Sequence, residues 1–293
     1  MVNDIYNIET KDFPLLLKQI DDPPEKLFVR GQIPDDTNKF LCVVGSRKCS
    51  NYGRELCNKL ISGLGGQPIV IVSGLALGID TEAHKTALKN NIKTIAVPGS
   101  GLDPQVLYPR NNFRLSEEIL SSGGALISEY EPKFRATVWS FPKRNRIMAG
   151  LSHATLIIEA TERSGTLITA RLATEYNRDV LAVPGSIFSE NSSGPNDLIR
   201  DGAVPIRSSN DILEALGIES SEKNMMIVFK ESLNKNEKQV VDKLTEPKDR
   251  EQLMEETNLS ITDLNITIGS LEIKGVVKDF GGKIFLNTNI DRS

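Results

Sequence analysis

Five glycine-bearing turns each follow a short β-branched run: GSRKCSNYG at 45–53, SGLALGID at 73–80, PGSGLD at 98–103, ERSGTLITA at 162–170 and PGS at 184–186. Glycine lets a ligand approach the backbone closely, and the amides that open a following helix favour phosphate oxygens. The first turn carries Arg47. The segment WSFPKRNRIMAG at 139–150 then sets Lys143, Arg144 and Arg146 beside Trp139 and Phe141. Guanidinium forks suit phosphate oxygens, and adjacent aromatic rings stack on bases. The chemistry implied is binding of a polyphosphate or a nucleic-acid backbone. One arginine of the cluster, Arg144 or Arg146, is expected to be structural, tied to a carboxylate such as Glu129 or Glu159, because apolar Ile147 and Met148 follow.

Signatures of catalysis are missing. No G-x-x-x-x-G-K-[ST] occurs and no strict G-x-G-x-x-G follows a strand, which disfavours a P-loop ATPase and an NAD enzyme. His84 lies four residues after Asp80 and suits a helix-terminus ion pair or hydrogen bond. His153 precedes a buried strand and reads as a packed loop residue. Neither has a second ligand at metal spacing, so no metal or other cofactor is expected. Ser164 of SGT reads as a phosphate-contacting hydroxyl, since no base lies near it in sequence. Cys42, Cys49 and Cys57 include no CxxC pair and read as reduced thiols of a cytoplasmic protein.

The elements that must hold these turns form a repeating pattern. Strands are read at 40–44, 69–73, 93–97, 125–128, 154–159 and 180–183, and helices at about 52–64, 80–90, 112–122, 165–177 and 210–216. Short strands apolar on both faces, alternating with helices, predict an α/β fold with a doubly wound, mostly parallel sheet of extended Rossmann-like type. Every glycine turn then falls on the carboxyl edge of that sheet. Residues 1–38, rich in proline, read as a lead-in too small for a core of its own. The main domain runs from 39 to 217, and the polar stretch 218–226 reads as a linker. Beyond it, 227–293 is expected to be a winged-helix domain. Its helices fall at 236–244, 247–257 and 260–274, and a hairpin turns at Gly281 and Gly282.

The 293 residues carry a formal net charge of −4, yet residues 39–150 hold 15 basic and 8 acidic side chains. A basic segment inside an acidic protein is the footprint of a local anion site. The third helix of the tail opposes Asp263 and Glu272 with Lys274 alone, and 225–293 carries 10 basic against 12 acidic residues. Protein contact suits such a tail better than duplex DNA. No apolar run approaches the length of a membrane span, and the acidic N-terminus does not read as a signal peptide.

VGSR…S-x-YG, SGLALGIDTEAH, TIAVPGSGLD…YP, ISEY, FPKRNRIMAGLS, IIEATERSGTLITA and AVPGS…GPNDLIRDGA follow one another in the order and spacing of the DNA-processing protein A family, also called DprA or Smf. Over about 40–217 the chain closely resembles that family. The resemblance implies a non-enzymatic protein that binds single-stranded DNA, forms a homodimer through the Rossmann-like domain and loads the RecA recombinase during natural transformation. It implies strand contacts from Gly45, Ser46 and Arg47, from Lys143, Arg144, Asn145 and Arg146, and from Ser164, Gly165, Thr166 and Thr169. Tyr52 or Phe141 would stack a base. The N-terminal helical domain of longer members is here reduced to about 38 residues. A competing reading is a nucleotide-binding enzyme related to the cytokinin-activating phosphoribohydrolases. Their PGG-x-GT-x-x-E motif requires a glutamate where this chain has Thr169, and ERS replaces PGG.

Overall fold

Phe40, Cys42 and Val44 are buried on one side of their strand, and Leu41 and Val43 on the other. A strand apolar on both faces needs cover on both, and this requirement organises the larger of two compact units, Met1–Ile218 and Glu219–Ser293. The structure, a computed structural model, describes residues 4–219, 233–244 and 246–286. The linker read at 218–226 therefore lies mostly outside the described residues.

Among the described residues of the first unit, nine strands make one sheet. They are β1 (Tyr6–Glu9), β2 (Lys26–Gly31), β3 (Lys39–Val44), β4 (Ile69–Ser73), β5 (Lys93–Ala96), β6 (Ala125–Ser128), β7 (Ala154–Ile157), β8 (Asp179–Ala182) and β9 (Val204–Pro205). Their order is β1-β2-β6-β5-β4-β3-β7-β8-β9. From β6 to β9 neighbouring strands pair in parallel, while β2 is antiparallel to β6 and β1 to β2. The helices are α1 (Leu15–Lys18), α2 (Asn51–Ser62), α3 (Ile79–Lys89), α4 (Phe113–Ser121), α5 (Ser140–Leu151), α6 (Gly165–Glu175), α7 (Glu190–Arg200) and α8 (Ser209–Ala215). Apolar residues of α2, α3 and α8 fill one face of the sheet. Those of α1, α5 and α6 fill the other. The mostly parallel, doubly wound α/β class follows directly.

Two departures from the sequence reading matter. Residues before 39 are no lead-in: β1 and β2 extend the sheet, and Phe13, Leu17, Ile20, Leu27 and Val29 join the main core. Arg30 near the end of β2 disguises that strand. It is buried because the Glu117 carboxylate takes its guanidinium at 2.7 and 3.1 Å. The segment carrying the arginine cluster is also a helix, α5. Pro142 sits in its first turn, where a missing amide proton leaves no bond unmade.

The second unit contains α9 (Lys235–Lys243), β10 (Lys248–Asp249), α10 (Arg250–Thr257), α11 (Ile261–Ile273), β11 (Val277–Phe280) and β12 (Lys283–Leu286). The three helices and the hairpin expected there are present, and β10 adds a third strand in the order β10-β12-β11. The middle helix starts at Arg250 rather than 247, because Asp249 caps it by accepting from the Gln252 amide at 2.9 Å. Lys274, which caps the carboxyl end of the third helix, lies 2.6 Å from the buried Glu237 carboxylate. Among the described residues no helix is long and apolar enough to cross a membrane.

His84 does not pair with Asp80. Its Nδ1 lies 2.7 Å from the Thr94 hydroxyl, while Asp80 accepts from the Gly74 and Ala76 amides at 3.1 and 3.3 Å. Burial pushes the imidazole pKa down from 6.5 to about 3. The unfolded chain therefore takes up a proton as pH falls through 6.5, and the folded chain does not until about 3. Stability present above that window is lost within it, by up to about 1.4 kcal/mol per pH unit. Urea midpoints taken between about pH 7 and 5.5 are expected to fall more steeply for the native chain than for His84→Asn.

Candidate nucleic-acid interface

The chain order along the sheet reverses beside β3: β4, β5 and β6 lie to one side, β7, β8 and β9 to the other. Open α/β sheets take ligands at the carboxyl ends of the strands flanking such a reversal. Here the loops leaving β3 and β7 are GSR at 45–47 and the turn ending in Ser164-Gly165-Thr166.

The first loop is held from beneath. Ile79 fills the space beside Gly45, and its amide donates to the Ser46 carbonyl at 3.2 Å. The Ser46 hydroxyl accepts from the Lys48 amide at 3.1 Å and so closes its own turn. Ser50 caps α2 and fastens the loop to β7's side, its amide and hydroxyl donating to the buried Glu159 carboxylate at 2.9 and 2.5 Å. Arg47 points its guanidinium outward from this loop. It is exposed and stands 5.0 Å over the Phe141 ring. That ring packs directly on Gly99, where a Cβ would fall 2.5 Å from it, and tilts against Tyr108 with centroids 5.6 Å apart.

The second loop opens α6. The Ser164 hydroxyl caps the helix, accepting from the Thr166 amide at 3.2 Å, and lies 2.9 Å from the Thr166 hydroxyl. Asn145 reaches across from α5 and donates to the Gly165 carbonyl at 3.3 Å. Gly165 is exposed at the helix start, where unpaired amides favour anions. Arg163 is exposed in the same turn, as Lys48 is in the first. The motifs show both as basic residues, but nothing in their spacing separates them from the buried arginines.

The basic run on α5 divides by helical direction. Lys143 is half-exposed, 3.3 Å from the Glu129 carboxylate and 5.8 Å above the Tyr130 ring. Arg144 and Arg146, expected as strand contacts, are buried instead. Arg144 donates to the Gly74 carbonyl at 2.6 Å and to the Val97 carbonyl. A Cβ at Gly74 would overlap this guanidinium, so glycine is required there. Burial lowers the Arg144 pKa, and the charge of buried Asp80 acts against that lowering. Arg146 donates to Glu129 at 2.5 Å and to the Asp22 carbonyl at 2.8 Å. Two arginines of the cluster thus act as clamps where the sequence suggested one. Asn145 and Thr169 are buried as well, and Gly45 is packed against Ile79. Arg47, Tyr52, Lys143 and Gly165 remain open to solvent, with Ser46, Phe141 and Ser164 half-buried; Thr166 lies beneath Ser164.

Removing a buried group that two carbonyls depend on leaves both unsatisfied. Arg144→Ala is therefore expected to lower unfolding free energy by roughly 2–4 kcal/mol, whereas exposed Arg47→Ala should stay within about 0.5 kcal/mol. Denaturant titration of the two variants distinguishes clamp from contact.

The family described as DNA recombination-mediator protein A matches residues 4–217. DNA processing protein DprA of Streptococcus pneumoniae is 46% identical over 210 residues, covering 71% of this chain and 72% of its own. Protein Smf of Escherichia coli is 42% identical over 208 residues, covering 71% of this chain and 55% of its own. Among solved structures, DNA processing protein A from Helicobacter pylori has a unique single-stranded DNA binding mode. It aligns with a TM-score of 0.64 at 30% identity, over 73% of this chain and 96% of that one. The Streptococcus pneumoniae structure aligns with a TM-score of 0.66 over 73% of this chain and 75% of that one. On this match and on the motifs that line the sheet edge, the chain belongs to the DNA recombination-mediator protein A family, the DprA and Smf proteins.

Proposed function

We propose that this protein binds single-stranded DNA along the carboxyl edge of its sheet and acts without catalysis as a recombination mediator. It would hold incoming strands in the cytoplasm and pass them to the RecA recombinase, as a homodimer built through the Rossmann-like unit. The observation that carries this is the exposed Arg47 guanidinium standing over the Phe141 ring at the reversal of strand order. A cation for phosphate and a ring for a base, side by side, suit a flexible single strand. The strand-binding Helicobacter pylori relative shares the fold.

Ser46, Ser164, Gly165 and Thr166 would add hydroxyl and amide contacts to phosphate, with Lys143, Lys48 and Arg163 supplying further charge. Tyr52, exposed in the first turn of α2, is a second stacking candidate. Arg144, Arg146, Asn145, Gly45 and Thr169 would act beneath the strand, by fixing the loops. The enzymatic alternative gains no support, because buried Thr169 stands where the phosphoribohydrolases carry their glutamate. For the second unit, the winged-helix reading and a protein-binding role fit the internal pairing of Lys274 with Glu237.

Fluorescence anisotropy with labelled oligo-dT and a matched duplex tests the assignment. The single strand should bind more tightly. With about three or four cations meeting phosphate, affinity should fall roughly ten- to fifty-fold between about 50 and 200 mM salt. The variant combining Arg47→Ala and Lys143→Ala should fold normally and lose roughly ten-fold or more in affinity. Unchanged affinity in that variant would remove this edge as the binding site.

A further inference from the structure

The sole tryptophan of the chain, Trp139, stands in water at 74% exposure, beside Val138 at 85%. An indole is among the largest apolar surfaces a side chain can bury, and leaving it outside the core forgoes that stabilisation. Helix formation does not ask for it. Trp139 occupies the N-cap of α5 and makes no side-chain capping bond, where serine, threonine, aspartate or asparagine would.

The backbone beneath it is fixed. The buried Ser140 hydroxyl lies 2.6 Å from the Gly99 carbonyl and accepts from the Thr137 amide at 3.0 Å. The Lys143 amide donates to the Trp139 carbonyl at 3.4 Å. Trp139 and Lys143 are four residues apart and share one side of α5, with Cβ atoms roughly 5–6 Å apart. Phe141, carrying Arg47 above it, projects to the other side. The amino end of α5 therefore bears an aromatic ring and a cation on each flank, and its own helix dipole is positive there.

We propose that Trp139 is a second stacking platform for an unpaired nucleobase, with Lys143 meeting the adjoining phosphate. A single strand would cross the amino end of α5 from the Phe141–Arg47 side to the Trp139–Lys143 side. The inference rests on the single-strand reading above. It assigns one further nucleotide to the site, its base stacked on Trp139 and its adjoining phosphate met by Lys143.

Because Trp139 is the only indole, its emission reports the subsite directly. The full-length protein is titrated with oligo-dT and with an abasic oligomer of equal length, and anisotropy of the labelled oligomers follows binding in parallel. Quenching by oligo-dT and not by the abasic strand is expected. Trp139→Ala should lose roughly five- to a hundred-fold in oligo-dT affinity and little for the abasic strand, and Trp139→Phe should keep most of it. Binding of oligo-dT without quenching, or quenching equal for both strands, overturns the stacking subsite while leaving strand binding intact. Equal affinity of Trp139→Ala and the native chain for oligo-dT does the same. Failure of both oligomers to bind overturns the subsite and the strand-binding function together.

Discussion

The site depends on a charge that never reaches the surface. The Arg144 guanidinium is inserted between the ends of β4 and β5, where it satisfies the carbonyls of Gly74 and Val97. Those carbonyls belong to turns that turn away from the ladder and cannot be paired within it. Without this donor they would be buried and unsatisfied, and two of the glycine turns would lose their conformation. The same residue fixes α5 against the sheet edge. Phe141 and Lys143 are presented by that helix, and Arg47 is positioned over Phe141.

A second buried group does the equivalent work on the other side of the reversal. Glu159 leaves β7 and takes both the amide and the hydroxyl of Ser50, joining the loop after β3 to the strand beside it. Asn145 links α5 to the loop that opens α6. The exposed groups available to a ligand are thus carried on the loops after β3 and β7, the first turn of α2 and the start of α5, around a set of buried polar cross-ties. Satisfied networks of this kind rigidify their surroundings, since breaking one bond leaves a partner stranded in low dielectric. Preorganisation of this sort lowers the entropy lost when a flexible ligand is bound.

Much of this was legible in the sequence, and the limits have physical causes. The central strands announce themselves because Leu41, Cys42, Val43 and their counterparts are apolar on both faces. β2 does not, because a buried Arg30 breaks the pattern and its partner Glu117 is far away in sequence. α5 was hidden by Pro142 and by three consecutive polar residues, Arg144, Asn145 and Arg146, that are buried through tertiary hydrogen bonds rather than hydrophobicity. Composition marked the segment as basic but not which cations face solvent. That depends on helix phase and on the carbonyls and carboxylates waiting beneath. The cap at Asp249 lay within reach of pattern reasoning, since Gln252 follows at capping-box spacing.

Glu129 has a consequence of its own for how a strand bound in the proposed mode would be released. Its carboxylate is nearly buried, accepts from Arg146 at 2.5 Å and stands 3.3 Å from Lys143. A phosphate drawn to Lys143 therefore competes with an anion already in place, and when it departs the ammonium returns to that anion instead of standing bare. The exchange is one counter-ion for another, so neither end state holds an uncompensated charge. In the proposed binding mode, Arg47 and the aromatic rings would hold a strand while the Lys143 contact is made and broken at small net cost.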